Sequence, residues 1–332
     1  MPKVSIIIPC FNGQAHIKRC LDSILESSFS DFEILIADDG SDDESQEILS
    51  QYEKNEKIRI FYFKNNQGPA RLRNFLGQKA LGKYLLFLDV DTRIESEAIE
   101  TILKRLEAEE RLAGLQPALI GPEGKLETVG HFLSPFGLPY EIGTGQNPDN
   151  FKKEMPIFGA RTAALAVRKT IFDRIGGFDE DYLIYGEDTD FCWRIWRAGG
   201  KIIYFPAARV RHFQKSSLSA KTSHRIFYEG AKNNTANILK NASSQILFWL
   251  LPLEILGWLA VSLKLICQKR LVETGWIFRG LFWNLKNIEK TLAKRKVVRA
   301  FSVPDNQAEK IIFGETRLID IIIKGGRWFK NV

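Results

Sequence analysis

The sequence predicts an α/β protein built on a doubly wound sheet. Two observations carry this. Val4–Ile8, Phe32–Ala37 and Tyr84–Leu88 are apolar runs of strand length, interrupted only by Ser5 and Glu33, as suits strands buried on both faces of a parallel sheet. Between them lie segments with helical spacing, and strands alternating with helices at this interval build such sheets.

The elements follow in order. After the first strand, Ile17, Cys20, Leu21, Ile24 and Leu25 recur at helical spacing. The second run ends at Asp38-Asp39-Gly40-Ser41 and leads to a helix through Ile48 and Tyr52. A strand at Ile58–Phe63, a helix from about Ala70 to Ala80 and the strand Tyr84–Leu88 complete the first half. Residues 113–165 are richer in Gly and Pro, with strands expected at Leu115–Ile120 and Ala163–Val167. Ile175-Gly176-Gly177-Phe178-Asp179 reads as a turn, Asp188–Ala198 as a helix, and Ile202–Phe205 as a strand ending at Pro206.

Beyond about residue 215 the character changes. Residues 246–266 are long and apolar enough to cross a bilayer, yet Pro252, Glu254 and Lys264 interrupt them. The next segment is basic, and a single crossing would place it against the positive-inside tendency. A re-entrant or in-plane membrane helix is the expectation, with Trp249 and Trp258 in lipid and Trp276, Phe278, Phe282, Trp283 and Leu285 at headgroup level. The division expected is a catalytic domain over 1–215, a helical membrane-associating region over 216–300 and a tail over 301–332, where Ile319–Ile323 form a short apolar closing element.

With 332 residues, 45% of them hydrophobic, the chain can fill a sizeable core. A formal charge of +7 suits a phosphate or an anionic lipid surface. Nucleic acid has little support, because the basic excess lies beside the apolar segment and not on an aromatic-faced sheet. Cys10, Cys20, Cys192 and Cys267 show no metal or disulfide spacing, and a reducing compartment is expected. The amino terminus reads as an immediate strand and not as a signal peptide.

Ligands of doubly wound sheets bind beyond the carboxyl ends of the strands. Pro9-Cys10-Phe11-Asn12, Asp38-Asp39 and Asp89-Val90-Asp91 all fall there. Paired carboxylates can hold a hard divalent cation that neutralises a diphosphate leaving group. A lone D-x-D pair fits a solvated turn as well. Gly186-Glu187-Asp188-Thr189-Asp190 opens a helix, where the macrodipole keeps a carboxylate ionised, as a general base requires. Capping is the simpler role for such residues, and it is assigned to Asp190. His212, just past the turn at Pro206, suits a packed histidine as readily as a metal or diphosphate contact.

Val4-Ser5-Ile6-Ile7-Ile8-Pro9 with Asn12, Ala37-Asp38-Asp39-Gly40-Ser41, Arg73-Asn74, Asp89-Val90-Asp91, Gly176-Gly177-Phe178-Asp179, Glu187-Asp188 and His212 together resemble family 2 glycosyltransferases of the GT-A fold. The order and spacing match over residues 3–213. The later part resembles, more loosely, the bacterial rhamnosyltransferase-like branch of surface-polysaccharide assembly.

That resemblance implies a Rossmann-like mixed sheet and an inverting, metal-dependent transfer. Pro9 and Phe11 would line the base pocket, Asp39 would accept a hydrogen bond from the base, and Arg73 would support the nucleotide side. Asp89 would contact the ribose or metal-bound water, and Asp91 would bind Mn²⁺ or Mg²⁺, with His212 completing the metal or diphosphate site. Asp188 would deprotonate the acceptor hydroxyl, with Glu187 beside it. The implied donor is a nucleotide-diphospho-sugar, rhamnose or another hexose. The implied acceptor is a glycolipid or polysaccharide at the cytoplasmic face of the cell membrane, where the protein would be peripheral or monotopic.

The chain lacks a Q-x-x-R-W sequence and the several long apolar segments of polymer-threading synthases, so non-processive transfer is expected. A sugar nucleotidyltransferase would carry a glycine-rich loop where Pro9-Cys10-Phe11-Asn12-Gly13 stands. A non-catalytic membrane-bound scaffold would carry a broken carboxylate set, whereas Asp39, Asp89, Asp91 and Asp188 are all present.

Overall fold

The computed structural model describes residues 1–213, 223–303 and 307–312. The expectation for Ile319–Ile323 lies outside them. Chain order runs β1 (Val4–Cys10), α1 (Ile17–Leu25), β2 (Phe32–Asp38), α2 (Ser45–Ser50), β3 (Ile58–Tyr62), α3 (Pro69–Lys79) and β4 (Tyr84–Leu88). Alternate residues of these strands feed opposite faces. Ile7, Leu35, Leu85 and Phe87 join one core with Leu72 and Leu76 of α3. Ile6, Ile8, Ile34, Ile36, Leu86 and Leu88 join another with Ile17, Leu21 and Ile24 of α1. Burial on both faces is why these strands show no polar alternation.

The middle of the chain adds β5 (Thr92–Ile94), α4 (Ala98–Glu107), β6 (Leu112–Ile120), β7 (Leu126–Thr128), the hairpin of β8 (Gly130–Leu133) and β9 (Pro139–Ile142), and β10 (Met155–Pro156). Then come β11 (Ala164–Arg168), α5 (Lys169–Ile175), α6 (Glu187–Arg197) and β12 (Lys201–His212). The main sheet runs β10-β12-β6-β11-β4-β1-β2-β3. β1 is parallel to β2 and β4, and β2 to β3, whereas β11 runs antiparallel to β4 and β6. The sheet is therefore mixed.

Two local readings change. Residues 169–175 form the helix α5, and the expected turn is its carboxyl-terminal cap, with Gly176 at φ 79° and Gly177 at φ 69°. Glycine is suited to this left-handed backbone because it has no Cβ. β12 also does not end at Pro206. A register shift between Phe205 and Arg209 carries it past the proline, so His212 is the last residue of a strand and not part of a loop beyond one.

Four further helices follow: α7 (Ser223–Asn241), α8 (Ser244–Cys267), α9 (Leu271–Lys286) and α10 (Ile288–Phe301); the short α11 (Gln307–Ile312) closes the described chain. They are not detached from the sheet. Ile238, Ala242, Ile246, Leu250 and Ile312 belong to the same core as Leu35 and Phe87.

α8 is long and apolar enough to cross a membrane, and it is apolar on both its buried face, with Ile246, Leu250, Trp258, Val261 and Leu265, and its exposed one. Its buried side holds Glu254, whose carboxylate accepts Thr235 Oγ1 at 2.9 Å and Trp258 Nε1 at 2.7 Å. Its exposed side holds Phe248, Trp249, Leu256, Leu259, Leu263 and Ile266, and α9 continues that surface with Leu271, Phe278, Phe282 and Leu285. Trp258, expected in lipid, is instead buried in the protein. Its indole N–H needs an acceptor, and Glu254 supplies it.

Candidate active site

The carboxyl ends of β1, β2 and β4 meet at one edge of the sheet. Asn12, at φ 51°, turns the chain sharply after β1, and its side-chain oxygen accepts the N–H of Asp42 at 3.0 Å. Pro9, next to last in β1, is half-buried, and the ring of Phe11 is exposed beside this turn. Asp39 is buried, with one oxygen accepting the N–H of Gln67 at 2.7 Å and the other that of Gly68 at 2.9 Å. Burial raises its pKa, and these two donors work against that rise. Asp39 thus shapes the loop into α3, and its remaining lone pairs can still accept from a ligand.

Asp89 and Asp91 follow β4. The pairing of β12 with β5 sets His212 opposite Thr92, which brings its imidazole to Asp91, with Nε2 3.0 Å from Oδ1. The other ring nitrogen meets Glu127 Oε2 at 2.5 Å. Burial alone would push the His212 pKa down, but the hydrogen bonds to Asp91 and Glu127 outweigh it and carry the value up to about 10. Burial works against Asp91 as well, and contact with His212 nevertheless holds its pKa low.

One donor atom each from Asp89, Asp91 and His212 lie within 4.8 Å of one another. Two carboxylates and an imidazole are a donor set that suits Mn²⁺ or Mg²⁺ better than a soft metal. The three residues fit a divalent cation, provided that the ion displaces the proton that His212 Nε2 shares with Asp91.

Arg73, buried on α3, connects this cluster to the second one. Its Nη2 donates to Asp89 Oδ1 at 2.7 Å, and its Nη1 lies 3.6 Å from Glu187 Oε1 at the start of α6. Arg73 Nε and Nη1 and Glu187 Oε2 are buried without a hydrogen-bond partner among the described residues. Burial, then the adjacent Asp188, pushes the Glu187 pKa up to about 7. Asp188, half-buried, uses one oxygen to accept its neighbour Thr189 N–H at 2.9 Å. The two acidic neighbours are thus unequal, and Asp188 is the more open.

Asp190 is not a helix cap. It is fully buried, bound to Arg194 at 2.7 Å and Lys240 at 2.7 Å. A buried carboxylate needs such partners, and Lys240 comes from α7.

Other groups around the site were not singled out from the sequence. Arg161 pairs with Glu141 on the hairpin side. His131 is buried against Thr189 Oγ1 at 2.9 Å, and burial lowers its pKa to about 4, so the ring is neutral. Gly159 passes so close that any Cβ there would collide with this imidazole. Isolated in sequence, Glu127, His131 and Arg161 carry no motif that spacing would detect.

The model of the family described as glycosyl transferase family 2 matches residues 5–176, more than half of the chain. The chain belongs to glycosyl transferase family 2. A second model, described as the N-terminal domain of galactosyltransferase, matches residues 146–216.

Among solved structures, this family member resembles S. aureus TarS residues 1–349 in complex with UDP-GlcNAc, with TM-score 0.61 and 17% identity over 97% of this chain and 92% of that one. GalNAc-T7 with UDP, GalNAc and Mn²⁺ superposes with TM-score 0.58 and 17% identity, over 72% of this chain and 48% of that one. These likenesses establish the GT-A fold. By sequence, a Campylobacter jejuni GalNAc(5)-diNAcBac-PP-undecaprenol beta-1,3-glucosyltransferase is 35% identical over 108 residues, 32% of this chain and 35% of the relative. The matched stretch spans less than half the length of the first curated relatives.

Proposed function

We propose that the protein transfers one sugar, with inversion, from a nucleotide-diphospho-sugar to a lipid-linked or polysaccharide acceptor. The observation that carries this reading is the bridge through Arg73, which joins the Asp89, Asp91 and His212 cluster to Glu187 and Asp188. Pro9, Phe11 and Asp39 hold the base, and Arg73 and Asp89 support the nucleotide. Asp91, Asp89 and His212 would hold Mn²⁺ or Mg²⁺, which supplies positive charge to the departing diphosphate. Asp188 takes the proton of the acceptor hydroxyl as that oxygen attacks the anomeric carbon from the face opposite the leaving group. Glu187 orients the acceptor.

One solved neighbour holds UDP-GlcNAc and the other UDP with GalNAc, which favours a uridine-linked hexose or N-acetylhexosamine over rhamnose as donor. A polyprenyl-diphosphate acceptor follows the Campylobacter relative. A screen of nucleotide sugars with Mn²⁺, scored by released nucleotide, tests the reading. Transfer is expected to collapse in Asp91→Ala and Asp188→Asn. Full activity in both variants sinks it.

The acceptor reading includes a membrane surface. The outward Phe248, Leu256, Leu263, Phe282 and Leu285 suit an in-plane seat of α8 and α9 in the interface, with Lys269, Arg279 and Lys286 near anionic headgroups. A crossing by α8 fits less well, because Gly137 and Phe136 of the sheet domain pack against Glu254 and Gly257 at its middle. Co-sedimentation with anionic vesicles is expected, and Phe248→Asp with Leu263→Asp should abolish it. Equal vesicle binding by that double variant counts against the seat.

A further inference from the structure

Helix α7 carries three buried asparagines one turn apart, Asn233, Asn237 and Asn241, each at most 2% exposed. Their spacing places them on one face of the helix. A buried amide is costly unless its hydrogen bonds are made. Here the amides are used on the chain that leads into the acidic cluster. Asn233 Nδ2 donates to the carbonyls of Ile184 at 3.0 Å and Tyr185 at 2.5 Å. Asn237 Nδ2 donates to the carbonyl of Gly186 at 3.1 Å, while its Oδ1 accepts the Tyr182 hydroxyl at 2.9 Å. Asn241 Nδ2 donates to Asp190 Oδ1 at 2.7 Å, inside α6 itself.

The backbone these amides hold is an unfavourable one. Tyr185 has φ 62° and Gly186 φ 81°, two successive left-handed residues directly before Glu187 and Asp188. A side chain in that region is strained, so Tyr185 persists there only where its surroundings enforce it. Gly186 also fits for lack of bulk, since a Cβ would lie 3.1 Å from Asn233 Cβ. The direction in which α6 departs, and hence where Asp188 sits, is fixed by this double turn.

We propose that Asn233 and Asn237 are positioning residues for the Asp188 base, so that a helix beyond the family-matched region completes the active site. The proposal rests on the reading of Asp188 as base. Residues 184–186 set the origin of α6, α7 grips their carbonyls, and a shift of that origin moves the carboxylate off the acceptor hydroxyl.

The test uses the full chain with Asn233→Asp and Asn237→Asp, isosteric changes that remove the amide donors and keep Oδ1 for Tyr182. The readouts are kcat and KM for transfer, the Kd for UDP with Mn²⁺ by calorimetry, and Tm. Positioning predicts kcat lower by about 10- to 100-fold with the UDP Kd unchanged, as a misplacement of about 1 Å produces. Unchanged kcat at 20 °C with only a lower Tm overturns the proposal, since the asparagines then merely attach α7. If Asn233→Asp does not fold, Asn237→Ser, whose shorter side chain does not reach the Gly186 carbonyl, decides by the same readouts: reduced kcat with intact UDP binding supports it, and full kcat overturns it. Asp188→Asn, assayed alongside, separates the two ideas: an active Asp188→Asn removes the base reading itself, whereas an inactive one beside fully active asparagine variants removes only the positioning claim.

Discussion

Arg73 Nη1 stands 3.6 Å from Glu187 Oε1, although one residue lies on α3 and the other opens α6. The same guanidinium donates to Asp89 at 2.7 Å, so one buried cation serves both acidic clusters. A fork with several fixed donors can span two carboxylates, whereas an ammonium acts as a point charge. Arg73→Lys should therefore keep the charge and lose the bridge, lowering kcat/KM by roughly tenfold or more. Arg73→Met should also lower stability by about 1–3 kcal/mol, because Asp89 and Glu187 lose their partner. Urea unfolding and steady-state kinetics check both, and an Arg73→Lys enzyme with unchanged kcat/KM would contradict the bridge.

The Glu187 carboxyl supplies a pH signature. Its folded pKa, raised by burial and by Asp188 to about 7, exceeds the ordinary 4.5. Between those values the folded state holds a proton that the unfolded chain releases. Stability contributed by this group is thus present below pH 4.5 and declines as pH rises toward 7. Glu187→Gln mimics the protonated form, and should flatten that decline and raise Tm at pH 8 by about 2–4 °C for each kcal/mol recovered. Thermal melts from pH 5 to 8 measure it, with parallel profiles for the two proteins as the adverse result.

How far the sequence went follows from the kind of signal each element carries. β1, β2 and β4 are legible because burial on both faces leaves runs that are almost wholly apolar, and Asp39, Asp89 and Asp91 because they punctuate those runs. β12 was cut short because Pro206 reads as a stop, and only its register shift shows how the strand continues to His212. Asp190 looked like a cap because its partners Lys240 and Asn241 lie on another helix. Glu127 and Asn237 were invisible for the same reason: their meaning comes from contacts distant in sequence. For α8, composition shows an apolar helix but not which side faces the protein, so only the contacts reveal that Glu254 and Trp258 point inward.

Lys240 makes a prediction about stability. It is buried between Asp179 and Asp190, and Lys294 of α10 also reaches Asp179. Burial opposes ionisation of both carboxylates, yet these cations, with Arg194 at Asp190, hold both pKa values below the ordinary range. Lys240→Met should cost about 3–5 kcal/mol, because it strands buried charge. The wild-type contribution is complete above the unfolded carboxylate pKa of about 3.9 and is lost as pH falls below it. Urea titrations at pH 7 and pH 3 should show a large gap between the proteins at the first and a smaller one at the second. An equal gap at both would mean that the lysine acts through packing alone.

The four cysteines give a test that also reports on the membrane-facing helices. Burial pushes the Cys10 and Cys20 thiols up to about 12 and raises Cys192 as well, whereas Cys267, at the end of α8, is exposed. Attack on a disulfide reagent requires both thiolate and access. At pH 8 one thiol should therefore react quickly in the native protein, and the other three only after unfolding. Cys267→Ser should remove the fast phase. Anionic vesicles should slow it severalfold if α8 and α9 rest in the interface, because Ile266 and Leu271 flank Cys267 on the exposed apolar surface. A fast phase of unchanged rate in the presence of vesicles, with the protein sedimenting with them, would place the docking face elsewhere on the molecule.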